Sequence, residues 1–147
     1  MINEYKNFVN SSAHFENKRI QVCSEYKHQN ILSLKSFKLA NKEISSWDKY
    51  EPTPLYYLSD LANYAGVSSI AYKDENLRFS LKSFKALGGA YAVANLLIKK
   101  LKEIGIEANS SDLIAGTYKE LTSKITVCCA TDGNHGRSVA WGAQKFG

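Results

Sequence analysis

Apolar residues recur at three- and four-residue steps from Ala86 to about Ile104, where Leu87, Tyr91, Ala94, Leu97, Ile98, Leu101 and Ile104 fall along one side. That period predicts an amphipathic helix over 86–104, ended by Gly105. Upstream, Leu58, Leu61, Ala62 and Ala65 form a shorter stripe and predict a helix over 55–66, with Ser59-Asp60 near its positive end and Gly66 as its stop. Two apolar runs have no helical period. Ser69–Lys73 reads as a strand, and Ile125-Thr-Val-Cys-Cys-Ala130 is a short, partly β-branched strand. The second run does not alternate, which predicts burial on both faces, as in a parallel sheet. A glycine-bearing turn, Thr131-Asp-Gly-Asn-His-Gly136, then leads into a helix to about Phe146.

The remaining stretches are more polar. Residues 30–41 carry a short helical stripe, and 107–124 holds a short helix around 112–118. Residues 1–46 as a whole read as an N-terminal arm to which no chemistry is assigned. The only two prolines, in Glu51-Pro-Thr-Pro-Leu55, force an extended entry to the region from 47 onward. The predicted architecture is α/β, with a mostly parallel sheet near 69–73 and 125–130 flanked by helices near 55–66, 86–104 and 134–146.

Composition narrows the function. With 147 residues, 44% of them hydrophobic, the chain has the length of one ordinary domain. Its net charge of +5 comes from scattered lysines, a pattern of solubility and not of a nucleic-acid surface. No apolar run approaches the ~18 residues of a membrane span, and MINEYKNFVN lacks an apolar signal core, so neither a membrane nor export is expected. The Cys128-Cys129 pair reads as buried strand, which fits a reducing cytoplasm. His14 and His28 are isolated, with no second ligand at metal spacing, and no metal is expected.

Candidate chemistry lies in two places. Arg78-Phe-Ser-Leu-Lys-Ser-Phe-Lys-Ala-Leu-Gly-Gly89 sets Lys82 and Lys85 just ahead of the long helix. A lysine held dry by packed neighbours has a lowered pKa and becomes a nucleophile toward an aldehyde; a solvated surface lysine is the plainer reading. Gly88-Gly89 costs helix stability, roughly 1 kcal/mol each relative to alanine, so close approach of a cofactor or of another backbone is expected there. In the second place, Asp132, Asn134 and His135 stand within one turn opened by Gly133 and Gly136. Strand, glycine turn and helix form the unit in which anions meet free backbone N–H groups. Asp132 can act as a general base if its pKa is raised, or it can simply cap the helix.

PTPLYYL, RFSLKSFKALGGAYAV and ATDGNHGRSVAWGAQ together resemble the diaminopropionate ammonia-lyases, of the tryptophan-synthase-β-like (fold type II) group of enzymes dependent on pyridoxal phosphate (PLP). The resemblance runs from about Ile44 to Gly147. It implies a three-layer α/β fold of which this chain is an incomplete, N-terminal part: an arm over 1–46 and the first part of the enzyme domain over 47–147. By resemblance Lys85 carries PLP, Asn134 hydrogen-bonds the cofactor's 3′-oxygen, and Phe84 and Gly133 line the cofactor site. The same resemblance makes Lys85 and Asp132 the catalytic bases, Asp132 for a D-substrate. Related dehydratases usually have a small residue at the place of Asp132, so the aspartate favours an ammonia-lyase. The implied reaction removes ammonia from 2,3-diaminopropionate and ends in pyruvate and a second ammonia, in an enzyme that is usually a homodimer. The phosphate-gripping loop and the partner of the pyridine nitrogen are expected beyond Gly147, so the chain alone should bind PLP weakly and not turn over. A serine or threonine dehydratase, and a non-catalytic α/β module for an anionic ligand or a protein partner, are the alternatives.

Overall fold

The two prolines of the entry segment exclude helix there, and the chain stays extended just beyond them. Leu55–Tyr57 (β1) pairs antiparallel with Ala71–Lys73 (β2), with Tyr56 opposite Tyr72. The computed structural model describes residues 32–131 and 133–147, and this two-stranded sheet is the one formed among them. The helix expected over 55–66 is therefore shorter, Ser59–Ala65 (α2), because residues 55–57 find their backbone partners across the hairpin. It stops at Gly66, as the sequence predicts.

The helix Leu34–Ser45 (α1) comes before the hairpin and lies a few residues beyond the stripe expected over 30–41; it has no buried residue. Residues 1–31 of the arm expected over 1–46, with His14 and His28, lie outside the described residues. After β2 a 3-10 segment, Glu75–Ser80, leads to the long helix Lys85–Glu103 (α3). Two short helices come next, Ser110–Ile114 (α4) and Lys119–Thr122 (α5), in place of the one expected around 112–118. The last helix, Asn134–Phe146 (α6), has the bounds the sequence predicts.

Residues 34–147 pack as one compact unit around α3 and α6. Helix α3 buries Ala86, Gly89, Ala90, Val93, Ala94, Leu97 and Leu101, and α6 buries Ser138, Gly142 and Phe146. The small residues let the backbones come close. A Cβ added to Gly142 would lie 2.7 Å from the Ala90 Cα and 3.3 Å from the Val93 Cβ, and one added to Gly89 would lie 2.3 Å from the Ser138 Oγ. Gly89 thus meets Ser138, and Gly142, one turn further along α6, meets Ala90 and Val93 further along α3, so the two helices run in the same general direction. The backbone approach expected at Gly88-Gly89 occurs at Gly89, against a helix; Gly88 faces open space.

An aromatic cluster closes one flank. Trp47 packs on Phe146 with ring centroids 5.4 Å apart, on Phe79 at 6.0 Å and on Trp141 at 6.1 Å, while Phe79 and Trp141 approach to 4.9 Å. Rings at these separations add to the burial itself.

Residues 125–130 correct the sequence reading. They carry no sheet hydrogen bonds, Cys128 is exposed and Cys129 half-buried, and both thiols are free. A strand exists only beside a neighbour, and no strand among the described residues pairs with this one. The parallel sheet is not formed within the described residues, although parallel α3 and α6 are the packing expected of helices on one face of such a sheet. Apolar side chains accordingly stay exposed around the hairpin and the loop after it, among them Tyr57, Tyr72, Leu77 and Phe84.

Candidate active site

The loop before Lys85 begins with a buried cation. Arg78 is only 5% exposed, and every part of its fork is used. Its Nε donates to Glu75 Oε2 at 2.8 Å, Nη1 to the Glu51 carbonyl at 2.8 Å, and Nη2 to Thr53 Oγ1 and Glu75 Oε1, each at 3.0 Å. The guanidinium also lies 5.5 Å from the centre of the Tyr50 ring. Arg78 holds the Glu75 carboxyl below the usual carboxylate range, and the Thr53 hydroxyl adds to this. The Lys73 ammonium donates to the Thr53 carbonyl. One charged cluster therefore ties the Pro-Thr-Pro entry to the start of the lysine loop.

The loop itself is strained. Phe79, Ser80 and Lys82 have φ of 47°, 61° and 57°, left-handed values that a side chain opposes at about 1–2 kcal/mol per residue. Burial of Phe79 among Trp47, Tyr50 and Trp141 and of Arg78 against Glu75 holds them there. Ser83, also buried, then closes the helix start: its Oγ accepts from the Lys85 backbone N–H at 3.2 Å.

Lys85 is the first residue of α3 and is exposed, with Nζ 5.1 Å from the centre of the Phe84 ring, itself 59% exposed. The dry amine expected from the apolar surroundings is not formed. Side chains lean toward the N-terminus of a helix, so that of Lys85 runs past the packed end of α3 and not along its buried stripe.

The second turn uses local chemistry. Thr131 Oγ1 accepts from the backbone N–H of Gly133 at 3.0 Å and of Gly136 at 2.7 Å, so the threonine does the capping work that the sequence reading offered to Asp132. Gly136 is needed for this closeness, since a Cβ there would come 2.6 Å from the Thr131 Cγ2. Gly133 has φ of 135° and open space around it. Asn134 opens α6 and is exposed, and His135 is half-buried. Asp132 lies outside the described residues.

The helix register brings the two turns together. Lys85 and Asn134 each lie one turn before the Gly89–Ser138 contact, so the common direction of α3 and α6 puts both helix starts at the same end of the pair. Phe84 and Gly133 stand immediately before them. An exposed amine and an exposed amide thus stand at the starts of the two helices, where Ser83 and Thr131 take up the Lys85 and Gly136 N–H groups. No group of three His, Cys, Asp or Glu residues among the described residues could hold a metal, and no helix among them is long and apolar enough to cross a membrane. Sequence reasoning missed Thr131, Ser83 and the Arg78–Glu75–Thr53 cluster. Only Thr131 left a local signal, a hydroxyl placed just before a glycine turn and a helix.

The family described as pyridoxal-phosphate dependent enzyme matches residues 47–147. The chain belongs to that family. Among its relatives, diaminopropionate ammonia-lyase of Escherichia coli K12 is 46% identical over 117 residues, covering 80% of this chain and 28% of the relative. The Salmonella typhimurium enzyme of the same name is 46% identical over 101 residues, 67% of this chain and 24% of the relative. A crystal structure of Escherichia coli diaminopropionate ammonia lyase in complex with an aminoacrylate-PLP azomethine reaction intermediate superposes with a TM-score of 0.60. It shares 42% identity and covers 78% of this chain and 27% of that one. The same enzyme in complex with D-serine gives 0.57 and 40%. The chain therefore spans about a quarter of the length of these relatives, 24% to 28%. These likenesses support the fold type II architecture, and membership makes this a sequence of PLP-dependent enzymes.

Proposed function

We propose that the chain supplies part of the active site of a PLP-dependent ammonia-lyase that acts on 2,3-diaminopropionate. With one water, the reaction yields pyruvate and two molecules of ammonia. The observation that carries this reading is the helix register that sets Lys85 and Asn134 at one open end. The 46% identity to diaminopropionate ammonia-lyases gives it a substrate.

In this reading Lys85 Nζ holds the cofactor covalently, and the Asn134 amide donates to its 3′-oxygen. Phe84 and Gly133 line its ring and edge. Exposed Lys85 and Asn134 and the open Gly133 turn fit a planar, anionic group, because no side chain of the described residues fills the space at Gly133. When bound, PLP supplies an electron sink for charge developing at the substrate's α-carbon. Displaced by the substrate's amine, Lys85 Nζ would be free to take the α-proton from one enantiomer of the substrate, and the Asp132 carboxylate would take it from the other, the D-form. Ammonia then leaves from the β-carbon. The expected dimer and a cytoplasmic setting belong to the same reading.

The test is covalent trapping. Borohydride reduction after adding PLP in excess should leave more adduct on Lys85 than on any other lysine, found by peptide mass spectrometry and lost in Lys85→Ala. An adduct spread over surface lysines, or none, would remove the cofactor reading and favour the non-catalytic module. Pyruvate release from D- and L-diaminopropionate, compared with D- and L-serine, separates ammonia-lyase from dehydratase when measured on a protein in which this chain replaces the matching part of the Escherichia coli relative. Faster release from serine would overturn the substrate assignment.

A further inference from the structure

Ser138 is wholly buried, and its Oγ has no hydrogen-bond partner. A buried hydroxyl of that kind is costly and calls for a reason. It sits where a Gly89 side chain would be: a Cβ on Gly89 would meet Ser138 Oγ at 2.3 Å, Ser138 Cβ at 2.8 Å and the Val139 nitrogen at 3.3 Å. The hydroxyl is thus a knob in the notch left by Gly89. The contact lies one helical turn inside the two N-termini that carry Lys85 and Asn134. One turn further in, Gly142 rests on Ala90 and Val93. Two such contacts fix both the sliding and the spacing of one helix on the other, because neither notch has room to spare.

We propose that Ser138 is a positioning residue: its hydroxyl, seated against Gly89, fixes the register of α3 on α6 and so the separation of Lys85 and Asn134. An alanine at 138 would pack without an orphaned hydroxyl, so core packing alone does not require serine. The register does, since without Oγ the notch at Gly89 stands partly empty and the helices can shift. The consequence for cofactor binding rests on the proposed PLP site, but the register itself does not.

Spin labels on Lys85→Cys and Asn134→Cys, in a chain whose Cys23, Cys128 and Cys129 are changed to serine, read the separation without any cofactor. Ser138→Ala should leave Tm unchanged or raise it, yet broaden the distance distribution. An unchanged distribution overturns the proposal. Gly89→Ala should shift the distribution and lower Tm, and adding Ser138→Gly should restore both. If Gly89→Ala does not fold, folding of the double variant is the same rescue, and its absence also overturns the proposal. With the native Lys85 and Asn134, the yield of borohydride-trapped PLP should fall about tenfold in Gly89→Ala and recover in the double variant. If the parent chain yields no adduct at all, the cofactor reading fails while the label distances still decide the register.

Discussion

The loop that leads to Lys85 and the turn that leads to Asn134 deliver a polar side chain to the same end of the helix pair, but they are held by different means. Residues 78–84 bend through left-handed positions at Phe79, Ser80 and Lys82, none of them glycine. A local bond closes this path, from the Leu81 N–H to the Arg78 carbonyl at 2.8 Å, but no glycine relieves its left-handed residues. It is held by Arg78, bonded across to Glu51 and Thr53 some 25 residues away, and by Phe79 in an aromatic cluster that draws on Trp47 and Trp141. Among the described residues of the second turn, 131 and 133–136, the bonds that close it are local. One threonine hydroxyl accepts two backbone N–H groups, and glycine stands where space or φ demands it. Strain kept in place by remote packing is common at functional sites, and here it marks the loop of the residue proposed to bond the cofactor.

The largest effect should come from removing the aromatic anchor. Phe79→Ala should cost about 3–4 kcal/mol, measured by urea unfolding, since it opens a cavity among Trp47, Tyr50 and Trp141 and leaves the left-handed path to the distant hold of Arg78. If the loop were locally determined, the loss would be near that of a half-exposed side chain, and the contrast between the two turns would vanish.

Next is the charged cluster. Glu75→Gln leaves the Arg78 guanidinium buried without its carboxylate and should cost about 2–3 kcal/mol, below the range of a fully buried pair because Glu75 keeps some contact with water. The same pair gives a pH dependence. The folded pKa of Glu75 is lowered from 4.5, so its contribution is present above that value and is lost as pH falls through the lower folded value. Stability should therefore drop more steeply on acidification below pH 4.5 in the parent chain than in Glu75→Gln, a difference that unfolding midpoints across that range will read directly.

The asparagine turn should respond less. Thr131→Ala removes the cap and should cost about 1 kcal/mol, while Thr131→Ser keeps the acceptor and most of the stability. Helix content at the start of α6, followed by amide hydrogen exchange at Gly136, checks this. Loss of protection at Arg78 or Phe79 in the same experiment would show that the turns are coupled and not independently held.

This contrast also explains what could be read from residues alone. Helix α6 has the predicted bounds, and α3 differs by one residue at each end, because the signals for both are local: a 3.6-residue period and a glycine at the turn. The order of the lysine and asparagine motifs was equally legible. The hairpin was not, since Leu55-Tyr-Tyr57 acquires its strand character from Ala71–Lys73. Nor was the exposure of Lys85, which depends on where the packed part of α3 stops. Residues 125–130 show the same limit from the other side: the apolar run is strand-like in composition, and among the described residues it has no partner to make it one.

The smallest effect is the sharpest probe of the comparison. Lys82 has φ of 57° and an exposed side chain, so Lys82→Gly removes the clash of its Cβ while touching neither anchor. The left-handed residue should be relieved, a gain of about 0.5–1 kcal/mol after the added freedom of the unfolded chain is counted. The path of the loop should not change, because Arg78, Phe79 and the Ser83 hydroxyl still fix its two ends. Two measurements then belong together: the unfolding midpoint should rise slightly, and the rate at which a lysine reagent modifies Lys85 should stay as it was. A rise in stability with an altered Lys85 rate would mean that strain at Lys82, and not the distant anchors, aims the amine, and the loop would then resemble the asparagine turn after all.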